Sequence, residues 1–264
     1  MRSLRCLIYK PMQTRFRQVT DSQWQVVQKI IGPQRASKHS SRTMLNAMLW
    51  LLRTGTQWRN LPDRFPPWAS VYYHFRRWQR TGQWQRLLAQ LVSQERQRLG
   101  YPALPAYLVL DSQSVKTAPM ICQAKGFDGF KRIRGRKRHL LVDEAGLPMG
   151  LLISRANQGD SKAAEPLLSQ LAATTTHRPP LLVDAVYPHT FVSWAAQALN
   201  WPVEVLLKPK ARHFVVVARR WVVERSFGWL SWSRRLSVDQ EKTVASAEAM
   251  VRLGFIAILL NRIS

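Results

Sequence analysis

The spacing of apolar residues changes near residue 100, and this change constrains the fold more than any other feature of the chain. Up to about Arg98, apolar residues recur at helical spacing, as in Trp24, Val27 and Ile31. From Ala106 onward they form short continuous runs that end in polar or acidic residues, as buried strands do. The chain therefore predicts a helical N-terminal region followed by a region that mixes strands and helices.

Residues 16–100 are predicted to form a small all-α domain, preceded by an N-terminal extension at residues 1–15. Thr20 and Gln23 have the spacing of a capping box, and Gly32 ends the first helix. The second helix is apolar nearly all round, so we expect it at the centre of the domain.

A basic and aromatic helix in this region indicates a helix-turn-helix-like DNA-binding domain. Ser70 is its predicted N-cap, and the residues after it separate an apolar face from a basic face. Arginines on such a face contact phosphates in DNA-binding proteins, whereas a structural bundle with solvated arginines is the alternative. The apolar face carries Val71, Phe75 and Trp78, and the basic face carries Arg76, Arg77 and Arg80.

The charge balance predicts a polyanionic partner. The chain has 40 Lys and Arg against 15 Asp and Glu, which gives 40 minus 15, or +25. Such a charge favours salt-sensitive binding to nucleic acid first and to an anionic membrane surface second. The apolar run 253–260 is too short to cross a bilayer, so no transmembrane helix is expected. Cys6 and Cys122 lack the spacing of a disulfide framework or a zinc site, which favours a reducing cytoplasm.

Residues 101–264 are predicted to form an α/β domain of the ribonuclease-H-like type. A strand ending at Asp111 is followed by two strands joined by a hairpin, which together form an antiparallel meander. A helix capped by Asp160 or Ser161 comes next, then a strand ending at Asp184, a helix, a strand and a final helical segment. This order predicts a mixed five-stranded sheet with helices.

Six cations lie within eight residues just before the second strand of this domain. A run of this kind is usually a solvated face, but its place directly before a strand puts it at the lip of the sheet. We therefore predict that it contacts DNA. Its members are Lys131, Arg132, Arg134, Arg136, Lys137 and Arg138.

Three carboxylates are candidates for a metal-dependent active site. Asp111 and Asp184 close strands that are neighbours in a ribonuclease-H-like sheet, and both can remain charged if Mg²⁺ lies between them. Glu224 is predicted to project from a partly apolar helix stripe that faces the sheet. Two Mg²⁺ ions, with Mn²⁺ as an alternative ion, would then support phosphoryl displacement on DNA. The alternative pairs Glu224 with Arg220 and makes each aspartate a strand-end or capping residue.

Several long segments resemble those of bacterial insertion-sequence transposases of the DDE type, in the IS-five-like family. They are LRTGTQWRNLPDRFPPW, VYYHFRRW, DSQSVKTA, GFDGFKRIRGRKRHLLVD and RRWVVERSFGWLSWSRRLSVDQEKT. The resemblance implies a ribonuclease-H-like catalytic domain, Mg²⁺-dependent cleavage at terminal inverted repeats and strand transfer into target DNA. It assigns the triad to Asp111 in LVLDSQS, Asp184 in LLVDAVY and Glu224 in WVVERSF.

The segment around the third acid matches the family signature in part. Arg220 matches the arginine that stands four residues before the glutamate and is a predicted DNA contact, while Val217 replaces a tyrosine and Ser231 replaces a basic residue. Arg234 and Arg235, one helical turn further, are candidates for the missing phosphate contact.

The loop after the second aspartate leaves alternative functions open. Ala185 and Val186 stand where the family pattern is usually rich in glycine. A catalytically impaired, repressor-like DNA-binding relative and a stand-alone nuclease are therefore alternatives to an active transposase. For all three readings the expected partner is double-stranded DNA, and for the transposase this means transposon ends and target. We also expect homo-oligomers on DNA, association with the bacterial nucleoid in the cytoplasm, and no membrane contact.

Overall fold

A computed structural model describes residues 16–33, 38–206 and 218–262. The predicted N-terminal extension at 1–15, with Cys6, lies outside these residues, as does Val217. No helix among the described residues is long and apolar enough to cross a membrane.

The N-terminal region is helical, as predicted. Thr20 and Gln23 form the predicted capping box, and Gly32 ends the first helix. The predicted cap at Ser70 is wrong, because the third helix begins at Trp68 after Pro67 and Ser70 lies inside its first turn. The helices are α1 (Asp21–Ile31), α2 (Ser41–Thr54), α3 (Trp68–Arg80) and α4 (Gln83–Arg98), with a 3₁₀ turn at Trp58–Asn60 between α2 and α3.

The second region contains a mixed sheet of six strands in the described residues. The strands are β1 (Leu108–Lys116), β2 (Gly126–Asp128), β3 (Ile133–Asp143), β4 (Pro148–Arg155), β5 (Leu181–Asp184) and β6 (Val203–Leu206). Their order is β2-β3-β1-β5-β6, with β4 also paired to β3. The predicted antiparallel meander of β1, β3 and β4 is confirmed, and β1, β5 and β6 pair in parallel.

Two predictions about these strands are corrected. β1 does not end at Asp111 but continues to Lys116, because antiparallel pairing with β3 extends from Leu108 to Lys116. The predicted sheet of five strands has a sixth in the structure, because the segment before β3 forms the short strand β2 and pairs with β3.

Five helices complete the second region as far as residues 101–206 and 218–262 describe it. They are α5 (Asp160–Thr174), α6 (His189–Leu199), α7 (Ala218–Leu230), α8 (Arg234–Ser237) and α9 (Val244–Leu260). Gly159 occupies the N-cap of α5 without a side-chain cap, so the predicted capping by Asp160 or Ser161 is wrong. The Asp160 carboxylate instead accepts hydrogen bonds from the Ser112 hydroxyl and the Lys137 amine.

Alternation along the strands divides the sheet into two buried faces. Leu108 and Leu110 pack in a core with α5 and α6, while Val109 packs in a second core with α7 and α9. Strand β5 alternates in the same way, since Leu181 and Val183 join the first core and Leu182 joins the second. Both faces are therefore covered by helices, as expected for strands that are continuously apolar.

The core on the α7 and α9 face continues without a break into the N-terminal helices. Buried residues of α1 to α4 belong to the same apolar cluster as Val109, Val142 and most of α9. Polar contacts add to it, since Gln23 donates to the Leu260 carbonyl and Arg76 to the Ser246 hydroxyl. The boundary near residue 100 therefore separates an all-helical region from a region of strands and helices, while both regions share one apolar core.

Candidate active site

Asp111 lies within β1 and Asp184 at the end of β5, and these two strands are parallel neighbours in the sheet. β1 and β5 pair through Leu108 with Leu181 and through Val109 with Leu182, and the same register continued by two residues brings Asp111 beside Asp184. Both aspartates follow the alternation that directs Val109 and Leu182 toward the α7 face. The prediction that these strands are neighbours is therefore confirmed.

Arg220 of α7 links Asp184 with Glu224. Its Nη2 lies 2.8 Å from Asp184 Oδ2, and its Nε lies 3.9 Å from Glu224 Oε1. Glu224 does not project toward the sheet as predicted, because its side chain is 53% exposed while its neighbours Val222 and Val223 are buried. The helix turns its apolar residues to the sheet and leaves Glu224 at the rim of the cluster.

Burial raises the pKa of Asp111 to about 6, and the negative charge of Asp184 adds to this effect. A hydrogen bond from the Ser112 backbone N–H to Asp111 Oδ1, at 2.8 Å, lowers the pKa, as do the charges of Arg220 and Lys131. The ionised form of Asp111 is therefore only partly compensated by its surroundings.

The chemistry of the donor set suits a hard divalent cation, because carboxylate oxygens are the ligands that Mg²⁺ prefers. Among the described residues, however, no three His, Cys, Asp or Glu side chains stand together in a way that could hold an ion. Two aspartates adjoin each other, and the third predicted ligand, Glu224, is turned toward Arg220.

Tyr187 and Asp160 belong to the surroundings of this cluster and were not predicted as site residues. Tyr187 is buried, with only 4% of its surface exposed, and its hydroxyl has no hydrogen-bond partner. Burial raises the pKa of Tyr187 well above its usual value, with further contributions from Asp160, Asp111 and Asp184. The sequence signal for Tyr187 is its position in the turn after β5, where its N–H donates to the Asp184 carbonyl at 3.1 Å.

The six cations from residue 131 to residue 138 divide into an exposed and a buried group. Lys131, Arg132 and Arg134 are exposed, as a DNA contact requires. The other three are not at the lip of the sheet, because β3 begins at Ile133 and carries them into the interior. Arg136 pairs with Asp239 at 2.9 Å, Lys137 pairs with Asp160 at 2.9 Å, and Arg138 donates to the Leu236 carbonyl at 2.8 Å.

Buried cations of this kind stabilise the fold, so the prediction that Arg136 and Arg138 contact DNA is corrected, whereas the DNA contact of the half-buried Lys137 stays a prediction. Arg136 is only 1% exposed and also donates to the carbonyls of Gln123, Glu241 and Lys242. Burial lowers the pKa of Arg138 to about 10, which still leaves the side chain charged at neutral pH.

The remaining predicted DNA-contacting arginines differ in their exposure. Arg80 and Arg234 are exposed, whereas Arg76 and Arg77 are half-buried and Arg76 donates to Ser246 of α9. Arg235 is buried and paired with Glu241 at 2.8 Å, and it also donates to the Thr56 carbonyl. Arg235 therefore anchors α8 to the turn after α2, and its predicted phosphate contact is corrected.

Comparison with known proteins identifies the family. Residues 103–260, well over half of the chain, match the family described as "Transposase DDE domain". The chain belongs to the DDE transposases. Residues 19–88 match a second family, described as "Putative transposase of IS4/5 family", so both regions match transposase families. The DDE family implies a ribonuclease-H-like fold, with which the mixed sheet and its helices agree.

One curated relative of the DDE transposase shows partial similarity. It is an uncharacterized protein, y4sN, from Sinorhizobium fredii, and it is 30% identical over 76 residues. The match covers 27% of this chain and 61% of the relative, so the chain spans less than two thirds of that protein. No solved structure matches the chain significantly.

Proposed function

We propose that this protein binds the terminal inverted repeats of an insertion sequence and catalyses metal-dependent DNA cleavage and strand transfer into target DNA. The observation that carries the proposal is the position of Asp111 beside Asp184 on the sheet face that α7 covers, where Arg220 contacts Asp184 and also Glu224 at the rim. Membership of the DDE transposases supports the same reaction class.

Asp111, Asp184 and Glu224 are the proposed ligands of divalent cations, with Mg²⁺ as the expected ion and Mn²⁺ as an alternative. Bound Mg²⁺ supplies activation of the attacking oxygen and stabilisation of the leaving oxygen in phosphoryl transfer. The raised pKa of Asp111 fits this role, because a cation beside Asp111 favours the ionised carboxylate. Glu224 joins the aspartates by changing its rotamer, which its 53% exposure permits.

Arg220 has a positioning role in this proposal. Its guanidinium holds Asp184 through the 2.8 Å contact and holds Glu224 more loosely at 3.9 Å. In the absence of other cations it balances the negative charge of the cluster. When Glu224 turns toward the aspartates, the Arg220 charge stays close enough to Asp184 to fix the orientation of that carboxylate.

Exposed cations in both regions of the protein are the proposed DNA contacts. We assign phosphate contacts to Arg80 in the helical region and to Lys131, Arg132, Arg134 and Arg234 in the second region, all of which are exposed. The helical region, which matches a transposase family of its own, is the proposed helix-turn-helix-like domain that reads the terminal repeats. Pairing of two DNA ends requires homo-oligomers on DNA.

A DNA-binding protein without chemistry is the second candidate, and one observation favours it. Arg220 lies between Asp184 and Glu224, an arrangement that suits a structural ion-pair network as well as a resting active site. This candidate predicts salt-sensitive DNA binding without any divalent-dependent nicking.

Cleavage of a supercoiled plasmid that carries the DNA flanking the reading frame tests the proposal. With Mg²⁺, we expect Asp111→Asn, Asp184→Asn and Glu224→Gln each to reduce end cleavage by about a hundredfold or more, since even indirect partners of a metal site contribute about 10- to 100-fold. Asp63→Asn, at an exposed loop carboxylate, is the matched control and should cleave like the wild type. Wild-type activity in all three site variants would refute the assignment, and binding without cleavage in the wild type would favour the second candidate.

A further inference from the structure

Phe130 is the most exposed of the large apolar side chains in the described part of the chain. It is 96% exposed and lies in the turn between β2 and β3. A phenylalanine ring normally contributes to a core or to an interface, because its transfer from water is strongly favourable. A single exposed apolar side chain is common on protein surfaces, so only the surroundings of Phe130 can indicate whether it has a functional role.

The backbone around Phe130 is held in a fixed conformation. The buried Asp128 carboxylate accepts hydrogen bonds from the N–H groups of Phe130 and Lys131, at 3.1 and 3.0 Å. Its second oxygen accepts a hydrogen bond from the Ser114 hydroxyl of β1, on the far side of β3. Ordering of this kind leaves a side chain little freedom to fold back onto the protein.

Gly135 permits this close approach of the hairpin to β1. A Cβ atom at Gly135 would lie 1.9 Å from the Val115 carbonyl oxygen, a distance that no side chain tolerates. Gly135 pairs with Lys116 of β1 on one side and with Gly126 of β2 on the other. The hairpin is therefore tied to the strand that carries Asp111.

The ring is surrounded by positive charge near the acidic cluster. Lys131, Arg132 and Arg134 are exposed beside it, and the one carboxylate of residues 126–135 is the buried and hydrogen-bonded Asp128. The contact of Asp128 with Ser114, three residues after Asp111 in β1, holds the tip beside the strand of the acidic cluster. An aromatic ring framed by cations complements nucleic acid, in which bases and phosphates alternate along the strand.

We propose that Phe130 stacks on an unpaired base of the DNA held at the acidic cluster, while the three exposed cations of the tip contact the flanking phosphates. The inference rests on the proposed function in that it takes DNA as the ligand. It adds that the DNA is opened locally, because a base inside a duplex offers no free face to the ring. Stacking on an aromatic side chain contributes about ten- to a hundredfold to affinity for each base.

Equilibrium binding of two DNA probes tests this inference, with EDTA present so that no cleavage occurs. One probe is a blunt duplex of the DNA that flanks the reading frame, and the other is the same duplex with several unpaired bases at one end. Fluorescence anisotropy should show that the wild type binds the forked probe more tightly. Phe130→Ala and Phe130→Leu should lose about tenfold on the forked probe and little on the blunt probe, whereas Phe130→Trp should retain the preference.

The variants separate stacking from other roles of an exposed apolar residue. Leucine keeps the apolar volume but has no π face, so equal binding by Phe130→Leu and the wild type would overturn the inference. Met120→Ala, which removes another exposed apolar side chain near the hairpin, should leave both affinities unchanged. A Phe130→Ala variant that sediments as a smaller species but binds both probes normally would show that a second copy of the chain covers the ring, and would also overturn it.

Failure of this inference is distinguishable from failure of the proposed function. If the wild type binds neither probe, DNA is not the ligand and both are overturned. If the wild type binds both probes but the Phe130 variants bind the same way, only the stacking role is overturned. Because the assay contains no divalent ion, its result does not depend on cleavage by the acidic cluster.

Discussion

Asp111 is a half-buried carboxylate whose surroundings only partly favour its ionised form. Burial and the neighbouring Asp184 raise its pKa to about 6, while one backbone hydrogen bond and the charges of Arg220 and Lys131 oppose this rise. If Asp111 contributed only to the stability of the fold, an uncharged residue at this position would be more favourable at neutral pH, because burial of a charge costs free energy. The arrangement is typical of a functional site, where stability is lost in favour of chemistry.

Asp111→Asn should therefore stabilise the protein at neutral pH in the absence of divalent ions. Because the folded-state pKa of about 6 exceeds the ordinary aspartate value of 3.8, the folded state binds the proton more tightly than the unfolded state, and the stability this contributes is lost as the pH rises from about 4 through 6. The rise of the pKa from 3.8 to about 6 corresponds to a free energy of at most about 3 kcal/mol. Urea denaturation should show the variant to be more stable at pH 7.5 and nearly equal to the wild type at about pH 4.

Comparison of the two proteins at each pH isolates Asp111 from other titrating groups. Burial lowers the pKa of His139 to about 4, so acidification destabilises both proteins through this residue to the same extent. A variant that is less stable than the wild type at pH 7.5 would show that the ionised carboxylate is fully compensated in the fold.

At the scale of single elements, β3 carries both an exposed cation and a buried, paired cation within one strand. Arg134 lies in the exposed hairpin end opposite Phe127, whereas Arg136 lies in the body of the sheet opposite Val115. Arg136 is 1% exposed and is paired with Asp239. Two arginines that are two residues apart thus lie in different environments.

Arg136→Gln should destabilise the fold, and Arg134→Gln should not. Removal of one partner from a buried ion pair costs about 3–5 kcal/mol, because Asp239 is left charged and unpaired. Substitution at the exposed Arg134 should change the free energy of unfolding by no more than about 0.5 kcal/mol. Arg134→Gln should instead weaken DNA binding and reduce the slope of log K against log salt by about 1. Equal stability of the two variants in urea would contradict the structural role of Arg136.

The sequence predicted which strands carry the acids better than it predicted the direction of each side chain. Asp111 and Asp184 could be assigned to neighbouring strands because the order of strands and helices limits the topology. The exposure of Glu224 could not be predicted from the sequence. Helix periodicity identifies which residues of α7 lie on one face, but not which residues at the edge of that face are covered by the sheet. The cations of β3 could not be sorted either, because their burial depends on pairing partners that are remote in sequence, such as Asp239.

At the scale of the whole molecule, the helical N-terminal region and the sheet share one apolar interior. The sequence predicted two domains because the periodicity changes near residue 100, and the change of element type is observed there. Periodicity does not report which surfaces pack together, so the contact of α9 with the N-terminal helices was not predicted. That contact includes the hydrogen bond from Gln23 to Leu260 and the ion pair of Arg262 with Glu95, at 2.9 and 3.3 Å.

A shared interior predicts that both regions unfold in one cooperative transition. Leu91 of α4 is fully buried in the common core, and Leu91→Ala should lower the free energy of unfolding by about 2–5 kcal/mol. Because β1 and α9 contribute to the same core, hydrogen exchange of their amides should accelerate together with that of α4. Gln85→Ala, at an exposed position of the same helix, is the matched control and should leave exchange unchanged. Faster exchange confined to α1 to α4, with β1 and α9 unaffected, would show instead that the helical region unfolds as a separate unit.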